Sequence, residues 1–150
     1  MAKHYQIIIA NYSILLVLQL GTVVYLFYQK LGWSLNSIQS FYLGDPGRFI
    51  ASQSRAGLLE TAVPHLAAIG LTSFIICHLL IFIPHLSPKI KWTLGLTLLL
   101  SGLFDIASGF FILYFGPSFA LGKLIFAFLF QISYLAILLT ILKTILRPVN

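Results

Sequence analysis

The stretch from Trp92 to Phe115, WTLGLTLLLSGLFDIASGFFILYF, carries one charged residue, Asp105, in a run otherwise built from apolar, small and hydroxyl side chains. Wound as an α-helix at about 1.5 Å per residue, it is long enough to cross a hydrocarbon core of about 30 Å. A helix apolar on every side has no place on a water-exposed surface, so this stretch puts the chain in a membrane. Three other runs read the same way, and the predicted spans are 7–28, 58–83, 92–115 and 119–146.

The whole composition agrees with that reading. Of 150 residues, 59% are hydrophobic and 8% charged, with a mean hydropathy of +1.00, whereas an ordinary soluble domain carries roughly 25% charged residues. The expected fold class is therefore all-α and integral to the membrane: four transmembrane helices in an antiparallel up-down bundle, one domain over residues 1–150. The short connection His85 to Lys91 and the turn Gly116-Pro117-Ser118 make the second, third and fourth spans antiparallel neighbours. Residues 29–57 form a long loop. Within it, Ser34 is placed to cap a short interfacial helix carrying Leu35, Ile38, Phe41 and Tyr42, which Gly44-Asp45-Pro46-Gly47 ends as a turn.

The net charge of +6 does not point to nucleic acid, because the nine basic residues are scattered singly and form no stripe. They suit anchors reaching the headgroup layer, alongside the aromatic residues Tyr25, Tyr28, Trp33, Trp92, Tyr114 and Phe115 at the predicted span ends. Cys77 is the one cysteine, so no intrachain disulfide can form. The first span follows Lys3 as a secretory signal would, but its apolar core is longer than roughly 7–15 residues and no small-x-small site closes it, so it is expected to be retained. Lys3, Lys89, Lys91, Lys143 and Arg147 fall on the side of the N-terminus, and Lys30, Arg48, Arg55 and Lys123 on the other. That small excess favours cytoplasmic termini and an outer first loop.

Ionisable groups inside the spans hold most of the functional information, since a charge at mid-bilayer costs at least about 2.5–3.5 kcal/mol. Thr61, His65, Ala68 and Thr72 share one helical stripe, so His65 is expected to face inward. His78 follows about 20 Å along the axis and roughly 140° round. In the third span Ser101, Asp105 and Ser108 form a polar stripe beside the heptad-spaced Gly95, Gly102 and Gly109, which calls for close helix packing. Lys123, Ala127, Gln131 and Tyr134 share a face of the fourth span, and the first offers Asn11 and Gln19. With alternating helix directions, Glu60, His65, Asp105 and Lys123 reach similar depth and could form one polar intramembrane cluster. The plainer alternative has Asp105 and Lys123 pairing as interhelix glue while the end charges reach the interface.

Imidazole from a membrane helix is a standard axial ligand of haem b, so His65 and His78 are candidate haem ligands, and through haem iron the candidate metal ligands. No other span supplies a histidine, so a second ligand would come from His4, His85, a second copy or another subunit. The chain has no phosphate-binding glycine loop, no Gly-x-Ser-x-Gly elbow and no Cys-x-x-Cys, and is not expected to be an independent enzyme.

The run Ser54 to Pro84, with Gly57-Leu58-Leu59-Glu60, His65-Leu66 and His78-Leu79-Leu80, resembles small bacterial four-helix membrane proteins of undefined function that carry a histidine-bearing second helix. The resemblance implies a multi-pass protein of the bacterial inner (cytoplasmic) membrane in a redox setting. The expected function is a non-enzymatic subunit of a respiratory or redox complex that anchors partners and binds haem b or quinone through His65 and His78. Its partners would be lipid and other membrane subunits, or copies of itself. Two alternatives stand beside this: a stand-alone proton or ion transporter using Glu60, His65, Asp105 and Lys123, and a purely structural or assembly protein.

Overall fold

The computed structural model describes residues 3–145, with side chains from residue 6. Leu146, Arg147 and the side chains of Lys3 and His4, all used in the sequence reading, lie outside the described residues. Helices α1 (Lys3–Leu31), α3 (Arg55–Ile81), α4 (Pro88–Phe115) and α5 (Ala120–Ile145) are the four spans, and the short α2 (Leu35–Leu43) lies between the first two. Each span is long and apolar enough to cross a membrane, and successive spans alternate in direction.

The chain sets its own helix ends. Ser34, Ser54 and Ser87 stand at the N-termini of α2, α3 and α4, and each hydroxyl accepts a backbone N–H from the first turn; each such cap is worth about 1 kcal/mol. Lys91 extends its ammonium back to the Ile81 carbonyl at 2.7 Å, satisfying one of the free carbonyls at the end of α3. Gly116, at φ +104°, closes α4 in a conformation a side chain would resist, and one 3-10 turn, Pro117–Phe119, leads into α5. Pro64 lies inside α3 without ending it.

The four spans do not form a closed ring. α5 is central, packed against α4 along its length and against α1 on another side; α3 lies against α4 and touches α5; α1 and α3 make no comparable contact. Helices in lipid are held by side-chain fit more than by the hydrophobic effect. The glycine stripe of α4 supplies that fit, receiving a different neighbour at each level. Gly95 faces the Cys77 thiol of α3, Gly102 lies under Ile69 of α3 and Phe130 of α5, and Gly109 lies under the ring of Tyr42 in α2. The glycines thus accept side chains from three helices, where their spacing alone suggested one backbone-to-backbone seam.

The main core joins Leu16, Ile76, Leu80, Leu98, Tyr134, Ile137 and Leu138 from all four spans in the half of the bundle away from α2. In the other half the helices part. Residues 21–26 of α1 and 63–68 of α3 are each six consecutive exposed positions. The first and sixth residues of a helical run differ by about 500°, so no face of either segment is fully covered by this chain.

A side chain at Gly102 would have to displace Ile69 and Phe130, whereas Gly70 meets nothing within 4 Å. Gly102→Leu is expected to lower unfolding stability in detergent by about 1–3 kcal/mol. Gly70→Leu should stay within about 0.5 kcal/mol. Thermal or denaturant unfolding of the two variants checks the pair, and equal losses would contradict this account of α4.

Candidate functional site

Asp105 lies ten residues before the end of α4, about 15 Å inside it. A carboxylate at that depth needs a cation or a proton. The cation is Lys123, near the start of α5, whose Nζ lies 2.9 Å from Asp105 Oδ1 and also donates to the Asp105 backbone carbonyl at 3.0 Å. The Oδ1 contact is poorly angled for a hydrogen bond, so its attraction is Coulombic and the carbonyl takes the directed bond. That carbonyl also accepts the Ser108 hydroxyl at 2.6 Å. Both charged side chains are largely covered, Lys123 at 11% exposure and Asp105 at 18%.

The lid over this pair is α2. Its apolar face carries Ile38, fully buried, and Tyr42, and both pack with Leu31, Leu58, Ile112 and Ala120. The apolar face expected to lie on lipid is instead turned onto the bundle, where Gly109 of α4 leaves room for the Tyr42 ring. The Tyr42 ring lies over Gly109 of α4, close enough to feel the charges of Lys123 and Asp105. Burial pushes the Tyr42 phenol above its ordinary 10.0; the ammonium pulls it down, the Asp105 carboxylate pushes it up, and the net direction is up. Tyr42 of α2 thus lies beside the pair that Asp105 of α4 and Lys123 of α5 form. Tyr42 was missed in the sequence because it read as part of an amphipathic face; its spacing from the two charges along the chain gives no sign of the encounter.

The other two members of the expected cluster do not join it. Glu60 and His65 sit in the same half of the bundle but are exposed on α3. The expectation that His65 faces inward is corrected: of its stripe only Thr72 is buried, while Thr61, His65 and Ala68 are exposed. Its Nδ1 lies 2.8 Å from the Thr61 carbonyl. A carbonyl only accepts, so Nδ1 carries the proton and Nε2 is left as the free basic atom. A histidine oriented by a backbone carbonyl in this way is ready to ligate through its other nitrogen. His78 is exposed too, stacked on Phe74 at 6.2 Å and edge-on to Phe82 at 5.3 Å. Among the described residues no three His, Cys, Asp or Glu side chains converge as a metal site. Asn11 and Gln19 are likewise exposed on α1.

Four apolar spans, a lid helix sunk into their mouth and a sealed charge pair define a polytopic helical membrane protein. The chain belongs to the Aq_1264_TM family, described as a transmembrane helical domain, whose model matches residues 32–150. The match takes in α2 through α5 and leaves α1 outside it. No curated protein and no solved structure matches the chain.

Removing one member of the pair strands the other charge in a dry site. Asp105→Leu or Lys123→Met alone is expected to cost about 3–5 kcal/mol, and the double variant to recover most of that loss. Denaturant titration of the three variants reads this directly; a double variant as unstable as the sum of the singles would count against the pair. For Tyr42 the docked phenol holds its proton longer than the undocked one. Docking of α2 is therefore fully stable below the undocked phenol's value near 10 and weakens as pH rises towards the docked value. The phenolate absorbance of wild type minus Tyr42→Phe should titrate above that ordinary value, and a midpoint at or below it would refute the sealed environment.

Proposed function

We propose that this protein is a small, non-enzymatic membrane subunit of a larger respiratory or redox complex, joined to its neighbours through the uncovered side of α3. The observation that carries the reading is the placement of Glu60, His65 and His78 on faces that no helix of this chain covers. Polar and ionisable groups turned to lipid are costly, and a neighbouring helix that supplies partners relieves that cost. His65 adds a specific chemistry, with Nδ1 held by its own helix and Nε2 presented outward. At a junction with a partner that offers a second imidazole, Nε2 would bind haem b iron; without iron it would accept a hydrogen bond from a quinol hydroxyl. His78, about 20 Å along α3 and flanked by two phenylalanines, would serve a separate group.

The transporter alternative needs Glu60, His65, Asp105 and Lys123 on one path. Asp105 and Lys123 are tied to each other beneath α2 while the other two face outward, so the geometry favours the subunit reading.

Photo-cross-linking residues placed at Val63, Leu66 and Ala67 in the native membrane are expected to capture one defined polypeptide, while the same residue at Leu98, inside the core, captures none. Adducts with lipid alone at all three sites would sink the proposal. The captured assembly, purified in mild detergent, should show a reduced-minus-oxidised haem band that His65→Ala removes; an assembly without that band would leave the subunit reading standing and remove haem from it.

A further inference from the structure

The outer side of α2 presents chemistry that the docking faces above do not use. A cavity of about 510 Å³ lies between the end of α1 and α2, lined by Lys30, Gln29, Ser37, Ser40, Arg48 and Tyr28 together with apolar Leu31, Phe41 and Ile50. It holds two cations and several hydroxyls, and no acidic residue lines it. Arg48 is steered there by Asp45, whose Oδ2 lies 3.5 Å from Nε, which leaves the terminal guanidinium nitrogens free. Asp45 itself is fixed by accepting the Gly47 N–H and by the paired backbone bonds between Asp45 and Ile50.

Depth decides what such a cavity would meet. The α1 span ends at Leu31, and Trp33 stacks on Phe27 and on Phe128 of α5 at the same end, marking the aromatic belt. Lys30 and Arg48 therefore stand at headgroup level. Directly below, residues 21–26 of α1 are uncovered and apolar enough to receive acyl chains. We infer that this cavity is a binding site for one anionic diacyl phospholipid, its phosphodiester held by Lys30, Arg48 and the Ser40 hydroxyl and its chains lying along α1. A phosphate oxygen takes charge-assisted bonds from both cations, and a guanidinium fork matches it in geometry. A zwitterionic headgroup would bring a quaternary ammonium to the same cations and be disfavoured.

The test is native mass spectrometry of the full chain released from mixed phosphatidylglycerol and phosphatidylcholine micelles. Wild type should retain phosphatidylglycerol in preference, and the double variant Lys30→Gln, Arg48→Gln should lose that preference by roughly tenfold or more. Both side chains are exposed, so folding is expected to hold, with unfolding temperature as the check. Lys89→Gln with Lys143→Gln, at the opposite end of the bundle, should leave the preference intact. Equal retention of the two lipids by wild type, or an equal fall in the control pair, overturns the site. Displacement by sn-glycerol 3-phosphate as effective as by the lipid also overturns it, because the cavity would then read a phosphoryl group without a membrane.

Discussion

A carboxylate about 15 Å inside α4 needs a partner for its charge, and the Lys123 ammonium supplies one at 2.9 Å. That contact fixes how α4 and α5 meet at the mouth of the bundle. It also bears on α2, since Tyr42 packs over Gly109, one turn of α4 beyond Asp105. A buried pair of this kind contributes little net stability compared with a well-packed apolar substitute. Its effect is specificity: only one register of α4 against α5 brings Nζ to both the Asp105 carboxylate and its carbonyl.

The opposite half of the bundle follows a different rule. There side-chain packing around Leu16, Ile76, Leu98 and Ile137 holds all four spans together. Towards α2 the bundle loses that common core, and α1 and α3 lean away with their surfaces bare. The family match runs from α2 to α5, so the charge pair, its lid and the histidine-bearing helix form one unit to which α1 is joined at α5.

Much of this was legible in the residues. Span number and approximate limits follow from the apolar runs, and the Ser34 cap and the Gly116 turn from local chemistry. Asp105 beside heptad glycines signalled a buried carboxylate, and depth matched it to Lys123. Azimuth was the weak point. The stripe Thr61, His65, Ala68 and Thr72 reads as inward on α3, and periodicity cannot tell whether a neighbour is present at each level to cover it. His65 was misdirected for that reason, and the lid role of α2 was hidden because an amphipathic helix looks the same whether its apolar face meets lipid or protein.

The central claim is that α3 changes from uncovered to packed partway along its length while the acidic and basic groups of α4 and α5 stay sealed. Spin labels placed singly from residue 58 to 80 on the purified chain in nanodiscs, read by collision with oxygen, measure it most directly. High accessibility at every position from 63 to 68, followed by a 3.6-residue oscillation from Ile69 onward, is the predicted profile. A regular oscillation with a protected minimum at His65 would contradict it.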